Sequence, residues 1–145
     1  MNGQPWAFIV VRDSSIKARL ADIKDAHCPP EKSHFKASML RDAPVVIVVC
    51  VDERSSHERS LENAVLAASQ LMLAAHGKGL GSVFMTAYRD GEPAVTAQIS
   101  DLLAIPASAK PMILLPLGYP DELPAEKKLK PIEDIVFHEQ YGKRV

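Results

Sequence analysis

Residues 60–85, SLENAVLAASQLMLAAHGKGLGSVFM, constrain the fold more than any other stretch of the chain. Leu61, Ala64, Val65, Ala68, Leu71, Met72 and Ala75 recur at spacings of three and four, the period of a helix. The opposite side (Leu66, Ala67, Leu73, Ala74) is apolar too. A helix that is apolar all round needs cover on every side, so it belongs at the centre of a fold. Its alanines let neighbouring backbones come close. Gly77, Gly79 and Gly81 then stop it, because glycine takes the left-handed conformation that closes a last turn. Residues 82–85 read as a strand leaving that corner, and a flat ligand can lie against such a corner.

The flanking segments supply strands and helices for this centre. Residues 6–11 are strand-like and begin almost at the first residue. Ser14 can cap a helix over residues 16–26, amphipathic through Ile16, Leu20 and Ile23, which Pro29 and Pro30 end. Residues 31–41 fit either a short helix or a mobile loop. Residues 43–52, APVVIVVCVD, form the strongest strand signal, and their unbroken β-branched run implies burial on both faces. A charged loop (52–59) precedes the central helix. After it come a turn at residues 88–91, an amphipathic helix at 93–103 and a buried strand at 112–118. Pro116 within that strand points to a sheet edge or bulge. The tail is polar and basic (Lys127, Lys128, Lys130), with a short ordered segment near 132–140. The expectation is one α+β or α/β domain with four strands and three to four helices.

Composition narrows the partners. A net charge of −1 over 145 residues gives no clustered basic face for nucleic acid. No run approaches the ~20 apolar residues of a membrane span, and the N-terminal MNGQPWAF lacks the regions of a secretory signal. Two cysteines, Cys28 and Cys50, make no disulfide framework and fit a reducing cytosol. Cys50 reads as a small buried hydrophobe and Cys28 as a loop thiol. The five histidines (His27, His34, His57, His76, His138) are scattered, so no metal site is expected. There is no paired-carboxylate motif and no serine nucleophile elbow, hence no catalytic side chain to nominate. Gly77-Lys-Gly-Leu-Gly81 is not a dinucleotide fingerprint, because its glycines follow a helix and open a strand, the reverse of what phosphate binding requires.

Six motifs in order resemble the nitroreductase family. They are Asn2-Gly-Gln4-Pro5-Trp6 before an apolar strand; Ala43-Pro44 opening the next; and Glu62-Asn63 through His76 with the Gly79–Ser82 corner. The others are Leu103-x-Ile105-Pro106, Leu117-Gly-Tyr-Pro120, and Lys130-Pro-Ile-Glu-Asp-Ile-Val136 with Tyr141-Gly142. The resemblance covers essentially the whole chain. It implies a single nitroreductase-like α+β domain over residues 1–145, with a mixed sheet flanked by helices. It also implies a cytoplasmic homodimer with two FMN sites at its interface. Hydride would pass from NAD(P)H through the flavin to a nitroaromatic, quinone or similar acceptor, the cofactor supplying the chemistry.

By residue, the resemblance places Asn2 and Gln4 at the flavin, Asn2 reaching it from the partner chain, and Asn63 nearby. Phe84, Met85, Thr86 and Ala87 pass the isoalloxazine, with a backbone N–H at Thr86 or Ala87 facing the hydride-accepting nitrogen. Lys128 and Lys130 help neutralise the phosphate. Family members carry a further N-terminal helical segment with an arginine- and serine-containing phosphate motif. This chain begins inside the next motif, which implies a weaker grip on FMN. The alternative is a non-catalytic flavin or nucleotide binder, or an inactive truncated remnant.

Overall fold

A computed structural model describes residues 2–32, 36–122 and 125–144. The first strand, β1 (Trp6–Val11), leads to helix α1 (Ser14–Ala26), a 3₁₀ turn at Pro30–Lys32 and the short helix α2 (Ser38–Asp42). Strand β2 (Val45–Asp52) and the long helix α3 (Ser60–Gly77) follow. Two-residue strands β3 (Gly81–Ser82) and β4 (Met85–Thr86), helix α4 (Pro93–Leu102), strand β5 (Ala109–Gly118) and a 3₁₀ turn at Ile132–Asp134 complete the chain. The α+β expectation holds, with five strands among the described residues rather than four. The order is β1-β2-β5-β3, with β4 also on β5, and every pairing is antiparallel.

Helix α1 begins two residues earlier than its apolar period indicates, and its cap is Asp13, not Ser14. The Asp13 carboxylate accepts the backbone N–H groups of Ser15 (2.9 Å) and Ile16 (3.0 Å). Both first-turn donors converge on one oxygen, Oδ1, whose negative charge makes it a stronger acceptor than a serine hydroxyl. The Ser15 hydroxyl and then the Ile16 N–H hold this carboxyl below its ordinary 3.8. A depressed carboxyl stabilises the fold above its unfolded value and loses that contribution as pH falls through the folded one. Asp13→Ala is therefore expected to lower the unfolding midpoint in urea at pH 6, with a smaller deficit at pH 3. Equal deficits at both values would exclude the ionised cap.

Strand β2 is the spine of the sheet, and its alternation sorts the core. Val46, Val48 and Cys50 face α1, α2 and α4, joining Leu20, Leu40, Val95, Ile99 and Leu114. Val49 and Val51 face the other side, joining Ile113, Leu115 and the small Ala64 and Ala68 of α3. Burial pushes the Cys50 thiol up to about 11, so it is a hydrophobe rather than a nucleophile. Lys17, also buried, donates to the Ala43 carbonyl at 2.5 Å and ties α1 to the start of β2.

Helix α3 departs from the expectation of cover on all sides. It packs on β2, β5 and β1, and Ala64, Ala68 and Ala75 are buried. Leu66 and Leu73 remain 64% and 72% exposed. The reason is topological: α1, α2 and α4 share one core on the opposite face of the sheet, leaving α3 alone on its own. The glycine corner is also more economical than three glycines suggest. Gly79 alone is left-handed there (φ 73°); its N–H bonds the His76 carbonyl (2.9 Å) and Leu80 N–H bonds that of Ala75 (2.9 Å), a Schellman closure.

The strand expected over residues 82–85 is broken in two. Strand β3 pairs with Leu117 and Gly118, and β4 pairs with Ile113 and Leu114, so Leu115 and Pro116 pair with neither. Pro116 thus sits in a central strand opposite Val46, at the point where the outer row is interrupted.

Candidate functional site

The interruption exposes an edge beside β4, and the ladder decides which backbone groups face out. Ala87 donates its N–H to the Met112 carbonyl at 2.8 Å. Bonded pairs alternate along an antiparallel ladder, so Thr86, opposite Ile113, turns its own N–H and C=O away from β5. The Thr86 carbonyl accepts from Lys24 Nζ at 2.8 Å. Of the two amides nominated from sequence, that of Ala87 is thus committed to the sheet, while that of Thr86 lies on the outer edge.

A cleft of about 520 Å³ opens against this edge. Its apolar surface comes from Val83, Met85, Met39 and Ala37, and its rim from Lys24, Lys32, Lys36 and Arg89. Burial pulls the Lys24 ammonium below the ordinary lysine value; the Cys28 thiol group opposes this and Arg89 adds to it. Asp25 also lines the cleft, but its carboxylate is occupied by the Ala37 N–H (2.8 Å) and Arg41 (3.5 Å). Arg41 pairs with Asp22 as well. Arg89 donates to the His27 carbonyl (2.6 Å) and pairs with Glu92 (2.9 Å), which also meets His27 Nδ1 at 3.1 Å. These bonds lash the end of α1 to the start of α4 and hold the cleft wall in place.

The other nominated residues lie in three places. Phe84, 40% exposed, stands in the break between β3 and β4, whereas Ala87 is wholly buried beneath the edge. Asn2 and Gln4 are exposed at the start of the chain, Gln4 in a left-handed conformation (φ 42°). That segment is pinned where Pro5 O accepts the Asp52 N–H (2.8 Å), and a Cβ on Gly3 would collide with the Ser55 carbonyl. Asn63 directs its amide nitrogen to the carbonyls of Arg59 (2.8 Å) and Ser56 (3.2 Å), stitching the first turn of α3 to the preceding loop. A hollow of about 530 Å³ joins that loop, through Glu53 and Ser60, to Tyr88 beyond β4. Lys128 and Lys130 are exposed on the tail and are not among the residues that line the cleft.

Sequence reasoning missed Lys24, Lys32, Lys36 and Arg89. Lys24 looks like an ordinary polar position of an amphipathic helix, and only the fold brings it to Thr86. His34 lies outside the described residues. Among the described residues no three metal-ligating side chains come together, and no helix is long and apolar enough to cross a membrane.

The nitroreductase family model matches residues 1–119. The chain belongs to the nitroreductase family. A relative from Methanothermobacter thermautotrophicus, provisionally named NADH dehydrogenase/NAD(P)H nitroreductase, is 35% identical over 87% of this chain and 61% of its own length. The chain thus spans less than two thirds of that relative. An iodotyrosine deiodinase from Thermotoga neapolitana is 26% identical over 84% of this chain and 69% of the relative. The solved structure of an FMN-dependent nitroreductase from Clostridium difficile superposes with a TM-score of 0.73 at 26% identity, covering 95% of this chain and 77% of that one.

Proposed function

We propose that the protein is an FMN-dependent oxidoreductase that passes hydride from NAD(P)H to a nitroaromatic, quinone or similar acceptor, working as a cytoplasmic homodimer. The observation that carries this reading is the outward Thr86 N–H on an interrupted sheet edge, beside a cleft with an apolar floor. A flat heteroaromatic ring needs these features: apolar surface for its face and a directed donor for a ring nitrogen. The residues present fit an isoalloxazine. The flavin, when bound, supplies the hydride chemistry. The chain's part is to position it: Thr86 donates from the backbone, Met85 and Val83 exclude water, and buried Ala87 fixes the edge through Met112. Lys128 and Lys130 answer the phosphate, Asn2 reaches the flavin from the partner chain, and Gln4 adds to the site. Relatives named for NAD(P)H nitroreductase and FMN-dependent nitroreductase support the cofactor and donor.

The test is to purify the protein, record its visible spectrum, and titrate FMN and FAD while following flavin fluorescence. NADH oxidation is then assayed with nitrofurazone or menadione. FMN binding in preference to FAD, with acceptor-dependent NADH oxidation, is expected. Flavin binding without turnover would favour the non-catalytic alternative, and no binding at any reachable concentration would end the proposal. Thr86→Pro refines it, because it deletes the outward N–H without removing a bond to β5. One lost hydrogen bond, about 0.5–1.5 kcal/mol, lowers FMN affinity up to roughly tenfold. Unchanged affinity and unchanged flavin reduction would remove Thr86 from the site.

A further inference from the structure

We propose that the cleft beside β4 selects redox acceptors whose flat apolar body carries an anionic group, a carboxylate or a phosphate, held by Lys24, Lys32 and Lys36. The inference rests on the flavin reading of Thr86 and adds the acceptor's chemistry to it. All three ammonium-bearing side chains line the same cleft. None of the three forms an ion pair with an acid among the described residues. The one carboxylate in the lining, Asp25, is turned to the Ala37 N–H and Arg41. The cleft therefore carries uncompensated positive charge over an apolar floor of Met39 and Met85.

Lys24 is the informative member. It is half-buried, and among the described residues its hydrogen-bond partner is a neutral carbonyl, Thr86 O at 2.8 Å. Burial disfavours its charged form, and an arriving anion would favour it. Because its Nζ is anchored at Thr86, an anion held there lies next to the edge that positions the flavin. Lys32 and Lys36, exposed across the cleft, draw such a ligand in by charge. Met39 accommodates rings of different outline beside a flavin seated on Val83 and Met85, since the thioether chain is flexible and polarisable. The selectivity thus lies in the charge rather than in the ring.

An anion of this kind belongs either to an acidic acceptor or to the phosphates of a nicotinamide dinucleotide, and the experiment separates them. The FMN-loaded protein is assayed with 4-nitrobenzoate and with 4-nitrobenzyl alcohol, isosteric acceptors that differ in charge. Binding of each is followed in parallel by the amide shifts of Met85 to Ala87, which does not require turnover. The benzoate is expected to be preferred by about tenfold or more in kcat/KM and in Kd at low salt, a preference that raised salt weakens. The preference should disappear in Lys24→Met and shrink in Lys32→Met, whose exposed side chain leaves folding untouched. The KM for NADH should stay unchanged. If the alcohol binds as well as the benzoate, or if the lysine variants weaken NADH and not the benzoate, the proposal is overturned. Absence of turnover with the binding preference intact would overturn the oxidoreductase reading alone.

Discussion

A single carboxylate at position 66, Leu66→Asp, is expected to convert the protein from a dimer to a monomer at micromolar concentration. The register dictates this. Trp6, Phe8 and Val10 pair with Val51, Val49 and Ile47, so they lie on the α3 side of the sheet. They are 42%, 45% and 52% exposed, however, because α3 covers β2 and β5 more than β1. A groove of about 420 Å³ runs between Trp6 and Phe8 on the strand and Leu66, Leu71 and Ala74 on the helix. Large apolar groups left open on a strand and its neighbouring helix mark an interface. In the proposed homodimer a second copy would meet the same patch through two-fold symmetry, so one substitution would appear twice. Covering a leucine is worth about 1.5–3 kcal/mol, and burying an unpaired carboxylate costs more than that again. Sedimentation equilibrium should find wild-type dimers and variant monomers, with weaker FMN binding in the variant if, as proposed, Asn2 reaches the site from the partner. Wild-type monomers at the same concentration would refute the interface.

How far the chain was legible follows from where each signal lies. The β-branched run of β2 announced a doubly covered strand and is one, since both of its faces carry apolar residues without a break. The helical period of α3 was equally plain. Periodicity reports which faces are apolar, though, and not which chain covers them, so Leu66 and Leu73 read as buried when this chain leaves them open. The Gly79 corner was legible because a left-handed residue has few substitutes. The split of residues 82–85 into β3 and β4 was not, since it depends on what β5 offers opposite. Thr86 was nominated through family resemblance, and the parity of the ladder, invisible in sequence, separates its amide from that of Ala87. The lysine-rimmed cleft had no local signal at all: Lys24 and Thr86 lie 62 residues apart, and only the packing of α1 against the sheet joins them.

Leu114→Ala should produce the largest loss of stability of any single truncation in the sheet. Leu114 is fully buried at the middle of β5, opposite Val48 on one side and Met85 on the other. Its side chain belongs to the core that Leu20, Leu40 and Ile99 bring from three helices. These neighbours stand on separate elements that cannot all close on the space at once, so a cavity remains. Such truncations cost about 2–5 kcal/mol, a large part of a total near 5–15 kcal/mol. For a domain of this length each kcal/mol moves the midpoint by roughly 2–4 °C, which gives a fall of about 4–20 °C by calorimetry. The same change loosens Met85, whose backbone pairs with Leu114 and whose side chain lines the cleft. FMN affinity should therefore drop even at temperatures where the variant remains folded, whereas Leu115→Ala, buried in the other core and paired with neither β3 nor β4, should lose stability with affinity retained. Equal affinity in the two variants would show that the edge beside Thr86 holds its shape without support from the core beneath it.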